Sequence, residues 1–173
     1  MAQHNITLFD ADGLSYKFEG SSNKTDDVNY VKITVTGGIW ILYRNVDFNA
    51  SQAGGNASDI LIFKEPVSEL KLDFSPCSLF RCQDNVDSCT VFEHNNYGGQ
   101  SKQYQEACFD ICQDFPSGDP RGVSSIILWP NKDWELFTKE NFTGGSKVVK
   151  NSWHPNPESM GFPNDKLRSL RPR

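Results

Sequence analysis

The side chains best equipped for acid–base, nucleophilic or transition-metal chemistry are three histidines and five cysteines. His4 lies close to the start, His94 in a turn-like stretch, and His154 in a loop rich in Trp and Pro. The cysteines, Cys77, Cys82, Cys89, Cys108 and Cys112, cluster in one part of the chain. A thiol needs a neighbouring base to attack as thiolate, so Cys89 or Cys108 with His94 is conceivable, but no local sequence frames such a pair. Cys108-x-x-x-Cys112 has no facing Cys or His pair to complete a tetrahedral zinc site. Nucleophile-elbow, phosphate-loop and zinc-protease signatures do not occur. Asp10-x-Asp12-Gly13 resembles the start of a helix–loop–helix calcium loop. That loop needs glutamate at its twelfth position, where Ser21 stands, so a polar hairpin turn is expected instead. On these grounds the protein is expected not to be an enzyme.

The formal net charge is −5 and is weighted toward the first half. There is no polybasic face, and the basic end Arg168-Ser169-Leu170-Arg171-Pro172-Arg173 is too short to make one. Neither nucleic acid nor a membrane is therefore an expected partner. No hydrophobic run approaches the roughly 20 residues that span a bilayer. The stretch Met1-Ala2-Gln3-His4-Asn5 lacks the charged-then-apolar pattern of a secretory signal, and a cytosolic, mainly reduced protein is expected. Asn-x-Ser/Thr triplets at Asn5, Asn23, Asn49, Asn56 and Asn141 would instead suit an extracellular protein whose signal had been removed.

A recurring aromatic skeleton must position whatever site exists. Trp134-Glu135-Leu136-Phe137, followed by Phe142 and Gly144, repeats Trp40-Ile41-Leu42-Tyr43, followed by Phe48. Val91-Phe92, followed by Tyr97 and Gly99, is a third relative. Residues alternating with period 2 run into the first aromatic, which ends a strand. The second aromatic folds back over it, and the glycine takes a positive φ that a Cβ would oppose. This describes a β-hairpin folded down onto its own sheet. With 13 Gly, 9 Pro, 12 Phe, 5 Tyr and 4 Trp in 173 residues, few segments suit a helix. In the first half, strands are expected at 6–9, 15–18, 28–35, 60–63 and 70–74. Residues 75–88, with little periodicity, form the boundary between domains 1–86 and 87–173. Four units pairing two and two predict an all-β chain of two β-sandwich domains, each of two Greek-key motifs. The tryptophans (Trp40, Trp129, Trp134, Trp153) are expected in packing rather than as a sugar platform.

At these residues the chain resembles the βγ-crystallin superfamily as a two-domain member. Phe92-x4-Tyr97-x-Gly99 and Phe137-x4-Phe142-x-Gly144 fit the family's hairpin pattern fully. Tyr43-x4-Phe48-x-Ala50 loses the glycine, and Phe9-x4-Leu14-x-Tyr16 loses the second aromatic as well. The resemblance implies a serine late in each motif that hydrogen-bonds the folded hairpin. The matching positions are Ser125 and Ser169 in the second half, but Tyr30 and Glu69 in the first. Hairpin and latch would then be degraded together, and residues 1–86 are expected to be the looser half.

The resemblance also implies calcium sites, built in each domain from two six-residue copies that exchange ligands. In the second domain the copies are residues 120–125 and 164–169. One combination is complete: Ser124 with Asn164 and Asp165, the Lys166 carbonyl and the Glu93 carbonyl. The other would set Arg168 beside Pro120 and Arg121 and is expected not to bind. In the first domain the copies are residues 25–30 and 64–69. There Ser68, Asp26 and the carbonyls of Asp27 and Arg44 form one combination. Calcium suits such sets because it is hard and accepts neutral carbonyl and hydroxyl oxygens. The bland reading of Asn164-Asp165 is a turn before the last strand, and of Ser124 a loop hydrogen bond. The expectation is a monomeric, structural protein whose domains pair within the chain. It would bind at most one weakly held Ca²⁺ per domain, with the C-terminal site favoured. A lectin-like or other ligand-binding β-sandwich is the alternative.

Overall fold

The computed structural model describes residues 4–82, 85–113 and 122–173. Contacts divide the chain into two units, Met1–Asn49 with Asn56–Gln83, and Ala50–Gly55 with Asp84–Arg173. The short segment 50–55 groups with the second unit.

In the first unit β1 (Ile6–Asp10), β2 (Ser15–Phe18), β3 (Tyr30–Val35) and β6 (Val67–Lys71) form an antiparallel sheet in the order β2-β1-β3-β6. Its companion is β5-β4-β7, with β4 at Ile39–Tyr43, β5 at Ile60–Phe63 and β7 at Ser78–Cys82. The motifs interlock. Strand β6 of the second motif pairs with β3 of the first (Ile33↔Leu70), while Ser22 of the first motif bridges Leu79 of β7. Such an exchange ties the two Greek keys together, because one sheet takes a strand and the other a bridging residue from the opposite motif.

Two expectations for this unit are corrected. The strand expected at 70–74 is displaced: β6 ends at Lys71, and a further strand, β7, lies inside the stretch read as boundary. Val67–Lys71 and Ser78–Cys82 both carry β-compatible residues, and a local pattern cannot say which of two strands crosses to the other sheet.

The second unit repeats the plan. A sheet β13-β10-β8-β9 comprises β8 (Ser88–Phe92), β9 (Ser101–Tyr104), β10 (Ser125–Trp129) and the two-residue β13 (Trp153–His154). It is matched by β12-β11-β14, with β11 at Trp134–Lys139, β12 at Thr143–Val149 and β14 at Ser169–Pro172. Cys108 bridges Leu170, the counterpart of the Ser22–Leu79 bridge.

Each unit has its own core, made from the inward face of both sheets. Ile6, Leu8, Ile33, Val35, Trp40, Leu42 and Leu79 meet in the first. Cys89, Val91, Ile126, Leu128, Trp134, Leu136 and Leu170 meet in the second. Their spacing of two along each strand is the alternation seen in the sequence. Trp40 and Trp134 are fully buried, as packing residues should be. Among the described residues no helix is long and apolar enough to cross a membrane.

The folded hairpins form as the aromatic skeleton implies. Ring centroids lie 5.6 Å apart for Tyr43–Phe48, 5.6 Å for Phe92–Tyr97 and 5.7 Å for Phe137–Phe142. The expected positive φ is found at Gly99 (74°) and Gly144 (79°), but the second aromatic and the residue before it share it: Asn96 and Tyr97, Asn141 and Phe142, Asp47 and Phe48. Left-handed backbone at non-glycine residues costs roughly 1–2 kcal/mol each, so something must hold the arm down. The ring pair, edge-to-face in the first two hairpins and tilted in the third, contributes about 0.5–1.5 kcal/mol.

The serine latch supplies the rest. Ser125 Oγ donates to the His94 carbonyl at 2.5 Å and accepts from Tyr97 N–H at 3.0 Å. Ser169 Oγ donates to the Lys139 carbonyl at 2.7 Å and accepts from Phe142 N–H at 3.0 Å. In the second motif the latch is Ser78, not the Glu69 position: Ser78 Oγ donates to the Asn45 carbonyl at 2.6 Å and accepts from Phe48 N–H at 3.0 Å. Glu69 lies on β6, with its carboxylate 3.3 Å from Lys32. The first motif alone has a different turn. There the Asp10 carboxylate accepts from the backbone N–H groups of Asp12 and Leu14, a tight Asx turn with Gly13 at φ 83°, and Leu14 is left exposed. The expectation of a looser first half therefore loses one of its two supports.

Near the start of β11, Glu135 is nearly buried and receives Arg171 at 2.8 Å and Arg173 at 2.9 Å. The Arg171 guanidinium, followed by that of Arg173, holds the Glu135 carboxyl below its usual range, against the opposing effect of burial. A depressed folded-state value means stability that is fully present above the unfolded glutamate range, about 4.3, and lost as pH falls through the lower folded value. Urea unfolding at a series of pH values should therefore show a steeper acid loss in the wild type than in Glu135→Gln. Identical pH slopes would show that the carboxylate contributes nothing.

Candidate metal centre

In the second unit, two short segments run into strands β10 and β14 and place the expected ligands. Their equivalence is visible in the backbone. Ser124 N–H donates to the carbonyl of Phe92 at 3.1 Å, and Arg168 N–H donates to the carbonyl of Phe137 at 2.9 Å. Each therefore follows the first aromatic of its hairpin, with the latch serine one residue later. Ser124 is thereby held next to Glu93, the residue after Phe92, whose own N–H donates to the Gln100 carbonyl.

The two copies come together at Gly122. A Cβ built there would lie 1.8 Å from Asp165 Cα, 2.3 Å from Asp165 Cβ and 2.6 Å from its carbonyl carbon. The segment carrying Ser124 thus touches the segment carrying Asn164, Asp165 and Lys166. Those three residues are exposed, while Ser124 and Glu93 are half-buried. Asp165 adopts φ 58°, a left-handed conformation that aspartate tolerates in turns. Its Oδ2 accepts from the Asn164 amide at 2.7 Å.

The reciprocal position is filled by the chain itself. The Arg168 guanidinium lies 2.6 Å from Glu140 and 3.6 Å from Asp110. Arg168 thus stands where a hydroxyl ligand would be needed and is itself paired with the carboxylates there. Pro120 and Arg121, expected opposite Arg168, lie outside the described residues.

In the first unit the structure rearranges the expected set. The residue whose N–H donates to the Tyr43 carbonyl, at 2.9 Å, is Cys77. Cys77, followed by the latch Ser78, therefore stands where Ser124 and Ser125 stand in the second unit. Ser68 is instead an exposed residue on β6, and the structure does not bring it to the loop of Asp26 and Asp27. That loop borders a cavity of about 290 Å³, shared with Lys24, Asn29, Ser75 and Cys77. The Asp26 carbonyl accepts from Val28 N–H, and Asp27 is exposed, 3.7 Å from Lys24. Arg44 sends its side chain to Asp59 at 2.8 Å and over the ring of Phe74. The miss has a legible signal: Ser75-Pro76-Cys77-Ser78 contains the latch serine, but proline and cysteine disguise the pattern.

Among the described residues no cluster of three or more His, Cys, Asp or Glu side chains is placed to hold a metal ion. A cation held among the described residues would rely on carbonyl, hydroxyl and amide oxygens with few carboxylates, a donor set that suits calcium better than softer metals. As to the thiols, Cys89 is fully buried and desolvation pushes it up, which suits packing and not nucleophilic attack.

Residues 88–172 match the family model described as Beta/Gamma crystallin. Among solved structures, geodin, a βγ-crystallin from Geodia cydonium, is similar over 99% of this chain and 100% of its own, at 24% identity and a TM-score of 0.86. A βγ-crystallin from Ciona intestinalis is 29% identical over 50% of this chain and 99% of its own, with a TM-score of 0.45. An archaeal βγ-crystallin is 24% identical over 51% of this chain and 100% of its own, with a TM-score of 0.42. No curated protein matches the sequence. The second half, residues 88–172, matches the βγ-crystallin family model, and the chain as a whole shares the fold of geodin.

Proposed function

We propose that the protein is a non-enzymatic structural protein whose second domain binds one calcium ion weakly. The observation that carries this reading is the contact of the Ser124 segment with Asn164-Asp165-Lys166 through Gly122. Ser124 Oγ, the Asp165 carboxylate with Asn164, and the carbonyls of Lys166 and Glu93 are the oxygens that would hold the ion. They fit calcium in type, being hard and mostly neutral. Bound calcium would tie the two motifs of the domain together.

One carboxylate among neutral donors implies an affinity on the order of 10⁻⁵ to 10⁻³ M. At a hundredfold excess over the dissociation constant, binding would add about 2.7 kcal/mol to stability. The first domain is the poorer candidate. A thiol replaces the hydroxyl at Cys77, and the Lys24 ammonium borders the cavity.

Calorimetric titration of the chelator-stripped full chain should show a single weak calcium event. Asp165→Ala should abolish it while leaving the far-ultraviolet spectrum and the melting transition of the calcium-free protein nearly unchanged. No heat and no thermal shift in the wild type would refute the reading. Full retention of binding by Asp165→Ala would refute the ligand assignment.

A further inference from the structure

We propose that Gly122 sets the distance between the two halves of the second domain's cation site, so that the site depends on this position having no side chain. The proposal rests on the calcium reading of Ser124 and Asn164-Asp165-Lys166. It adds a residue that contributes no ligand to that set.

The glycine is required for space and not for backbone freedom. Its φ lies outside the left-handed region, so alanine could adopt the same conformation. What alanine could not do is share the space of Asp165. The atoms it would meet are Asp165 Cα at 1.8 Å, Cβ at 2.3 Å and the carbonyl carbon at 2.6 Å. Two of these are main-chain atoms and cannot swing aside as the end of a long side chain would. Carbon atoms rest about 3.5–4.0 Å apart, so the two segments would have to separate by well over an ångström.

Neither segment can absorb that movement quietly, because each is anchored on both sides of the contact or just beyond it. Val123 is buried, and Ser124 N–H is bound to the Phe92 carbonyl. Beyond Asp165, Leu167 is buried and Arg168 N–H is bound to the Phe137 carbonyl; before it, Phe162 is buried. The part free to give is the exposed turn at Asn164-Asp165-Lys166, which carries one half of the ligand set. Calcium holds its oxygens at about 2.3–2.6 Å. A turn displaced by an ångström or more would leave Ser124 and the Glu93 carbonyl facing an incomplete shell. Gly122→Ala should thus damage the site by geometry while leaving every proposed ligand in the sequence.

The test is calcium calorimetry on the full chain for the wild type, Gly122→Ala, Asp165→Ala and the double variant. Gly145→Ala is the size-matched control, since a Cβ there meets only Thr138 at ordinary contact distances of 3.6 and 3.8 Å. Gly122→Ala should raise the dissociation constant at least thirtyfold, and Gly145→Ala less than twofold. The double variant, like Asp165→Ala itself, should show no calcium event. A wild type that takes up no calcium would remove the calcium reading itself. A wild type that binds, beside a Gly122→Ala that binds within twofold of it, would overturn the role of Gly122 alone. Should Gly122→Ala fail to fold, the calcium-loaded wild type still decides: an NOE between Gly122 Hα and Asp165 Hα, with a calcium-induced shift of the Gly122 amide, is expected. Absence of either signal would overturn the proposal.

Discussion

Trp134→Ala is expected to destabilise the second unit by about 3–5 kcal/mol, the range for deleting a buried aromatic and leaving a cavity. Trp134 is fully buried at the start of β11, within the cluster of Val91, Ile126, Leu136 and Leu170. Both sheets contribute to this cluster, so the void would open at the centre of the sandwich, where strands cannot collapse into it without losing their pairing. Single domains of this size are stable by only about 5–15 kcal/mol, so the loss would unfold a large fraction under mild denaturant. Trp134→Phe should cost much less. The indole N–H of Trp134 has no hydrogen-bond partner among the described residues, and phenylalanine removes that buried donor along with part of the volume. At Trp40, by contrast, Nε1 donates to the Gly37 carbonyl at 3.0 Å, so Trp40→Phe forfeits a bond and should be the more damaging of the two phenylalanine variants. Urea unfolding followed by far-ultraviolet circular dichroism would measure all three. Equal losses for the two phenylalanine variants would contradict the hydrogen-bond argument.

The second large effect is expected at Ser78. Its hydroxyl is fully buried, donates to the Asn45 carbonyl and accepts from Phe48 N–H. Ser78→Ala would strand both backbone groups beneath the folded arm. Each buried group left unpaired costs about 1–3 kcal/mol, partly recovered where the arm lifts and lets water in, so a net loss of about 2–3 kcal/mol is expected. The arm has reason to lift, since Asp47, Phe48 and Asn49 all hold left-handed backbone. Ser125→Ala and Ser169→Ala should behave alike in the second unit, because their donor and acceptor geometry is the same. Glu69→Ala, on an exposed strand position, should change stability little. A Ser78→Ala variant as stable as wild type, or a Glu69→Ala variant that unfolds readily, would reverse the assignment of the latch.

These comparisons show why some of the molecule could be read from the chain and some could not. The folded hairpins at Phe92, Phe137 and Tyr43 were legible because their determinants sit within about eight residues: two aromatics, a fixed spacing and, in two of them, a glycine. The latches at Ser125 and Ser169 were legible only through the family resemblance, whose motif matches at those two positions. Ser78 was not, because two consecutive β-compatible segments, Val67–Lys71 and Ser78–Cys82, compete for the same role. Only the pairing of β6 with β3 and of β7 with β4 decides between them.

What the chain determined alone was therefore local: strand alternation, aromatic arms, a fourfold repeat and a shortage of catalytic groups. Tertiary structure decided which strand crosses between sheets, where Ser78 and Cys77 fall, and that Gly122 lies against Asp165. The physical reason is range: periodicity and turn chemistry act between near neighbours, whereas a half-site meets its complement only after two motifs have exchanged strands and closed one core.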